Sequence, residues 1–206
     1  MKIKQKDKEL ISKEIENLEK YSSAELVAVV TKRSSDYKYA ISLINIFVLF
    51  SISFLLIFFT QKEASELLQI QLLIFVGISL FFEKFNNFVV KLLPKTYKYN
   101  KASKNAHKQF YNLGLNRTKT RQGIMFFVSY DEKYVEIIAD KEISKKIDDE
   151  YWQVIVKEFI KDVKNNNLSN GYVKAIKSCS EILVKNFPIQ TDDENELSNE
   201  VIELKP

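Results

Sequence analysis

Three short groups of acidic residues in the second half of the chain have the chemistry of a site for a hard divalent cation. Such cations take several oxygen ligands, supplied by one loop or by neighbouring loops. The carboxylates that could supply them are Asp131 and Glu132, Asp140 and Glu142, and Asp148 and Asp149. None of these groups has the ligand spacing of an EF-hand.

Asp140 and Asp148 are the best candidates for a metal site. The residue pattern places Asp140 at the end of a predicted strand and Asp148 at the start of a predicted helix. An ordinary structural role fits the same positions, because carboxylates often end strands and accept hydrogen bonds from the free N–H groups of a helix N-terminus. The sequence leaves both interpretations open.

The residue types needed for nucleophilic catalysis are sparse. His107 is the single histidine, and it lies far in sequence from Cys179, the single cysteine. A catalytic serine or cysteine needs a base beside it, and this spacing does not suggest one. One cysteine also excludes an intrachain disulfide and any paired-cysteine metal motif. The four glycines form no phosphate-binding loop, so nucleotide binding is not expected.

A basic loop precedes the apolar stretch at 123–130. Arg117, Lys119 and Arg121 alternate with uncharged residues there, and they predict a contact with an acidic partner or with lipid phosphates. A solvated loop is the alternative. The net charge is only +4 from 31 basic and 27 acidic residues, and no basic patch is interleaved with aromatic side chains. A nucleic-acid partner is therefore not expected.

Two uncharged apolar runs occupy the second fifth of the chain and predict a transmembrane hairpin. Residues 40–59 span about 30 Å as a helix, which matches the hydrocarbon thickness of a bilayer. Residues 67–82 cover only about 24 Å, so a re-entrant or interfacial segment is the alternative for this run. Polar residues in the first span are expected to form hydrogen bonds with the other helix: Ser42, Asn45, Ser51 and Ser53.

The distribution of basic residues predicts the orientation of the hairpin. The connector at 60–66 holds one lysine, whereas basic residues cluster before the first span and after the second. They are Lys32, Arg33 and Lys38 on one side, and Lys84, Lys91, Lys95, Lys98, Lys101, Lys104 and Lys108 on the other. The first thirty residues also lack the apolar core of a signal peptide. We therefore expect a multi-pass protein of the cytoplasmic (inner) membrane with both termini in the cytoplasm.

The elements around the hairpin predict one small α/β domain. In chain order they are a helix at 4–21, a strand at 25–33, a helix at 96–113 ending near Gly114, strands at 123–130 and 134–139 joined by a polar turn, and helices at 142–147, 150–164 and 169–186. The last two helices are expected to sandwich the sheet. The first strand cannot bury itself alone, so the hairpin is an insertion into this domain.

This organisation divides the chain into four segments. Residues 1–39 hold the first helix and strand, residues 40–83 the hairpin, residues 84–187 the rest of the domain, and residues 188–206 an acidic tail. The tail is either disordered or docked on the domain, and the sequence does not decide between these states.

Four stretches carry a resemblance to a known family, and they lie on both sides of the hairpin. They read SSAELVAVV at 22–30, YNLGLNRTKTRQGIMFFVS at 111–129, YVEIIADKEI at 134–143 and DDENELSNEVIEL at 192–204. The chain thus resembles the membrane-anchored bacterial branch of the TPM-domain family, named for its thylakoid lumenal, photosystem-repair and levamisole-receptor-modulating members. The resemblance implies a small α/β/α sandwich with the hairpin inserted after the first strand.

The family also suggests two functions. Some soluble relatives bind calcium and have been called acid phosphatases, so the resemblance leaves calcium open as a cofactor, which the residues themselves do not identify. The family's Asp-Asn-Gly before the central strand reads Arg121, Gln122, Gly123 here, which replaces a potential metal ligand by a cation. We therefore expect a non-enzymatic binding or assembly/repair factor for another membrane protein, with a homo-oligomer left open. The alternative is a metal-dependent phosphatase at the cytoplasmic membrane face that uses Asp140 and Asp148.

Overall fold

The computed structural model describes residues 4–165 and 167–204. Within them, the chain divides into two compact units, one formed by residues 4–35 with 99–165 and 167–204, and the other by residues 36–98. The elements are α1 Gln5–Glu19, β1 Glu25–Thr31, α2 Lys38–Phe59, α3 Ala64–Lys84, α4 Asn86–Leu92, α5 Lys95–Asn112, β2 Gly123–Ser129, β3 Tyr134–Ala139, α6 Lys141–Lys146, α7 Asp149–Lys164, α8 Leu168–Asn186 and β4 Ile202–Leu204.

The first unit is built on a four-stranded sheet with the order β3-β2-β1-β4. The central strand β1 pairs in parallel with β2 on one side and with β4 on the other. The hairpin predicted between β2 and β3 is confirmed, with antiparallel pairing from Ile124↔Ala139 to Ser129↔Tyr134. All seven residues of β1 are buried, which fits the valine-rich apolar run at 26–30 and extends to the polar end residues Glu25 and Thr31.

Helices cover both faces of this sheet, which confirms the α/β class and its three layers. Side chains of β1 alternate between the faces. Leu26, Ala28 and Val30 pack in the larger core with α1, α7 and α8. Val27 and Val29 pack on the other face in a smaller core that includes α5.

The arrangement of the last two helices differs from the prediction. We expected them to lie on opposite sides of the sheet, but α7 and α8 share one face. Phe126 of β2 lies edge to face with Phe159 of α7, at 5.1 Å between ring centroids, and with Tyr172 of α8 at 5.6 Å. The opposite layer is α5, whose stripe of Ala102, Ala106 and Phe110 is buried. The small alanine side chains allow this helix to approach the sheet closely.

The acidic tail is docked, which answers the question that the sequence left open. Residues Ile202–Leu204 form β4, and Val201 lies in the larger core with 8% of its surface exposed. Lys8 of α1 makes a 2.6 Å ion pair with Glu203 in β4. The tail thus completes the sheet at the edge opposite β3.

The second unit contains the two helices that correspond to the apolar runs. Both α2 and α3 are long and apolar enough to cross a membrane, with mean hydropathies of 2.6 and 1.8 over their most apolar windows, of which only 6% is buried. The helix α3 has 21 residues, so it spans about 31 Å rather than the 24 Å expected for its uncharged part.

One polar contact joins these two helices. Asn45 Nδ2 donates to Ser79 Oγ at 3.0 Å, as expected for a polar residue in the first span. The same expectation is wrong for Ser51 and Ser53, whose hydroxyls donate to carbonyl oxygens of their own helix, those of Phe47 and Leu49. Serine in a helix commonly bonds the preceding turn in this way.

Candidate functional site

Asp140 and the predicted basic loop lie at one end of the sheet, where the parallel strands β1 and β2 begin and the antiparallel strand β3 ends. The loop from Gly114 to Gln122 leads into β2 there, and Asp140 follows β3 directly. Gly114 has a φ of 78°, which confirms it as the residue at which the chain leaves α5. The loop therefore places its cations beside Asp140 and beside the tail.

Arg121 holds both carboxylate oxygens of Asp140. Its Nε lies 2.5 Å from Oδ2 and its Nη2 lies 3.0 Å from Oδ1, a bidentate arrangement. Only 5% of the surface of Asp140 is exposed. Burial alone would raise the pKa of Asp140, but the hydrogen bond from Arg121, that from the Lys141 backbone and the charge of Arg121 together lower it below its ordinary value.

The backbone on both sides of this ion pair has an unusual conformation at Arg121 and is held by hydrogen bonds. Arg121 has a φ of 56°, in the left-handed region that residues other than glycine rarely adopt. Its carbonyl oxygen accepts the N–H of Glu142 at 3.3 Å, and the N–H of Asp140 donates to Gly123 at 2.8 Å. Asp140 is the N-cap residue of α6, without a side-chain capping bond. The ion pair thus joins the entry of β2 to the exit of β3.

Lys119 binds the acidic tail of its own chain. Its Nζ lies 2.9 Å from a carboxylate oxygen of Glu194, and its backbone N–H donates to Glu196 at 2.9 Å. Arg117 is exposed, and its guanidinium makes no ion pair with the part of the chain that the structure describes. Of the three basic residues predicted to meet a partner, two therefore have intramolecular acidic partners.

A buried glutamate anchors the tail beside this loop. Glu25, the first residue of β1, is 4% exposed and accepts the backbone N–H groups of Glu196 at 3.1 Å and Leu197 at 3.3 Å. Burial raises the pKa of Glu25. Burial, with the nearby charge of Glu25, also raises the pKa of Glu19 to about 8, and Asn195 of the tail donates to Glu19 at 2.8 Å.

The structure does not bring Asp140 and Asp148 into a cluster of metal ligands. Asp148 is the N-cap residue of α7, again without a side-chain capping bond. No group of three or more potential ligand side chains occurs among residues 4–165 and 167–204. A calcium ion at Asp140 would have to displace Arg121, so the present arrangement fits the guanidinium and not a metal ion. The metal site at Asp140 and Asp148 stays a prediction.

A second polar cluster lies at the opposite end of the sheet, where β1 and β2 end, and it contains Glu132, one of the carboxylates considered above as a cation ligand. The Ser129 hydroxyl donates to Glu132 at 2.5 Å, and Ser34 donates to Ser129 through Oγ at 2.8 Å and to Glu132 through its backbone N–H at 3.1 Å. Ser129 and Glu132 are 0% and 2% exposed. This cluster joins the segment after β1 to the β2–β3 turn. Because Ser129 is fully buried, its hydroxyl is inaccessible to a substrate.

The histidine and the cysteine do not form a catalytic pair. Cys179 lies in the larger core, and burial raises its pKa to about 12, so its reactive thiolate is suppressed at neutral pH. His107 belongs to α5 on the opposite face, where its Nε2 lies 3.5 Å from Glu136. The sheet separates the two residues.

Comparisons with known proteins agree with this fold. The family model described as the TPM domain matches residues 82–182. The solved structure of BA42, a protein from the psychrophilic bacterium Bizionia argentinensis, superimposes with a TM-score of 0.60 at 18% identity, covering 98% of this chain and 96% of BA42. At this identity the similarity shows a shared fold. No curated protein matches the chain.

Proposed function

The chain carries a TPM domain, and on that premise we propose that it is a membrane-anchored cytoplasmic module that binds another membrane protein and assists its assembly or repair. The observation that carries this proposal is the Arg121–Asp140 ion pair. This pair lies at the end of the sheet where the family resemblance would require a free carboxylate as a metal ligand. Here the carboxylate of Asp140 is already bound by the guanidinium of Arg121. A buried carboxylate held by two hydrogen bonds from Arg121 supports a structural role for this site rather than hydrolysis.

The second unit supports the membrane anchor. The apolar side chains of α2 and α3 are largely exposed, and water is an unfavourable surrounding for so many of them. Basic residues concentrate before α2 and after α3, while the segment between these helices holds only Lys62. By the positive-inside rule, this asymmetry supports a cytoplasmic location for both termini.

The orientation can be tested with single cysteines in full-length protein carrying Cys179→Ser. We expect a membrane-impermeant maleimide added to intact cells or spheroplasts to label Glu63→Cys, in the connector, but not Lys13→Cys, in α1. Both positions are exposed in the structure. Labelling of Lys13→Cys alone would reverse the proposed orientation.

The partner contact we propose is the exposed end of the basic loop, centred on Arg117, with Lys119 and Arg121 beside it. Arg117→Glu is the cleanest variant, because it breaks no ion pair within the described residues. Lys13→Glu, also exposed, is the control for the charge change.

Affinity purification from crosslinked membranes of the source cells tests the binding function. A specific membrane protein that is captured with the unmodified chain and with Lys13→Glu, but lost with Arg117→Glu, would support both the function and its surface. Absence of a specific partner, together with hydrolysis of p-nitrophenyl phosphate that disappears in Asp140→Asn, would instead favour the phosphatase.

A further inference from the structure

The strand β3 leaves one edge of the sheet open. The N–H of Asp140 donates to Gly123 of β2, and the N–H of Tyr130, after β2, donates to Thr31 of β1. In an antiparallel pair the bonding direction alternates along each strand. Tyr134, Glu136 and Ile138 therefore face β2, while the backbone groups of Val135, Ile137 and Ala139 point away from the sheet.

A groove follows this open edge. Its walls are mainly β3 and α7, with His107 of α5 and Ser144 of α6 at its margins, and its volume is about 800 Å³. A second depression of about 360 Å³ continues it past the β2–β3 turn, and the two share Val135, Ile160 and Lys164. The continuous surface, here named the β3 groove, thus runs along the whole strand, which suits an extended ligand better than a compact one.

The wall formed by α7 has an apolar strip and a basic strip. Val156 and Ile160 are half-buried and line the groove. Beyond them Lys157, Lys161 and Lys164 are exposed at spacings of four and three residues, about 6 Å and 4.5 Å along the helix axis. Lys161 is paired with Glu158 at 3.1 Å, whereas Lys157 and Lys164 make no ion pair among the described residues.

The axial spacing of about 6 Å between Lys157 and Lys161 is close to that of side chains on one face of a strand, about 6.6 Å for every second residue, whereas Lys164 follows at the shorter spacing of about 4.5 Å. A glutamate on an added strand would lay its methylene groups over Val156 and Ile160 and present its carboxylate to the lysine ammonium groups. The opposite side chains of such a strand would lie near Ile138, which is 8% exposed.

We propose that the β3 groove binds an extended acidic segment of a partner protein, which adds to β3 as a fifth strand. Main-chain hydrogen bonds to Val135, Ile137 and Ala139 provide the affinity, and the lysines select acidic side chains. This inference rests on the proposed binding function and gives it a second contact surface, besides the basic loop, and a partner chemistry. A purely protective role for the lysines, which keep many sheet edges from pairing, is the competing outcome of the test.

The test uses the full-length protein in lipid nanodiscs and a defined probe, a fluorescent peptide of seven residues that alternates glutamate and valine. We expect saturable binding and amide chemical-shift changes concentrated at Val135, Ile137 and Ala139. A peptide with lysine in place of glutamate, and a peptide methylated on alternate backbone nitrogens, should each bind at least about tenfold more weakly, since they lose the charge match and the edge hydrogen bonds respectively.

A matched pair of triple variants locates the site. Lys157→Glu, Lys161→Glu and Lys164→Glu together should weaken binding at least about tenfold, because they reverse the charge of the groove. The control replaces three exposed lysines elsewhere, Lys13, Lys20 and Lys185, by glutamate and should leave the affinity unchanged. Undetectable binding, equal effects of both triple variants, or shifts confined to other surfaces would overturn the proposal.

The two proposals fail differently. If the membrane partner is captured by the groove variant as efficiently as by the unmodified chain, the binding function stands and the β3 groove is not its site. If the probe binds as expected but no partner is captured from membranes, the groove stands as a peptide site and the proposed assembly function fails.

Discussion

Arg121 decides what the candidate site can bind, because its guanidinium binds the Asp140 carboxylate that a metal ion would need as a ligand. The pair joins residues 19 positions apart, and it forms because the β2–β3 register brings Asp140 beside Gly123. The sequence identified both residues but assigned them to different sites, a basic loop and a metal centre. Only the register of the hairpin shows that they neutralise each other.

A double-mutant cycle on this pair tests its structural role. We expect Arg121→Ala to lower the thermal midpoint of the full chain in detergent by several degrees, because it leaves the buried carboxylate of Asp140 without its partner. Asp140→Asn should lower the thermal midpoint less, since asparagine keeps the shape of the side chain and is also favoured at helix N-caps. The double variant should be more stable than the sum of the single effects predicts. Strictly additive effects would show that the pair contributes no coupling energy.

Glu19 gives a pH dependence whose sign follows from its environment. Burial raises its pKa in the folded state to about 8, whereas the unfolded chain has the ordinary value of 4.5. The folded state therefore holds the proton more tightly, and the contribution to stability falls as the pH rises from about 4.5 to 8. We expect Glu19→Gln to reduce the loss of thermal stability between pH 5 and pH 8.5.

The control for this prediction is Glu16→Gln on the same helix, at an exposed position. Part of the pH dependence of stability should remain in Glu19→Gln, because burial also raises the pKa of Glu25. Equal pH profiles for Glu19→Gln and the unmodified protein would show that the Glu19 carboxylate ionises without cost in the folded state.

At the scale of elements, local pattern predicted most of the fold. The strand β3 and the ends of α7 and α8 lie within a residue of their predicted bounds, because apolar periodicity and turn residues act locally. The sequence did not predict β4, which has only three residues after an acidic segment and pairs with a strand about 170 positions away. It also misplaced α7 and α8, because periodicity identifies the buried face of a helix and not the side of the sheet on which it packs.

Gly123 is the point at which β2 meets the preceding loop. A Cβ added there would overlap the backbone carbonyl of Leu115, which is itself fully buried. We expect Gly123→Ala to cost about 1–3 kcal/mol of unfolding free energy, because main chain must move to admit the methyl group. Gly77→Ala in α3 is the control, since no atom lies within 4 Å of its added Cβ. Denaturant titration compares them, and equal midpoints would show that the loop yields without cost.

At the scale of the molecule, the sequence identified the two candidate membrane helices more readily than the proposed β3 groove. Length and hydropathy alone mark α2 and α3, because a bilayer requires a long uncharged run. The β3 groove depends on the order β3-β2-β1-β4, which leaves β3 at an edge, and strand order is a long-range property. The docking of the acidic tail likewise depends on long-range contacts, since Glu25 and Lys119 bind it from distant parts of the chain.

The division into two units predicts that the segment with the two apolar helices can be removed. The first unit has its own sheet and two cores, formed by residues on both sides of the segment Asp36–Lys98. We expect a variant in which a Gly/Ser linker of about ten residues, roughly 17 Å in mean span, replaces this segment to fold and to leave the membrane fraction. Centrifugal fractionation and a cooperative thermal transition measure the two properties separately. A folded variant that still sediments with membranes would place a membrane contact on the first unit, whereas an unfolded one would show that the sheet requires the hairpin.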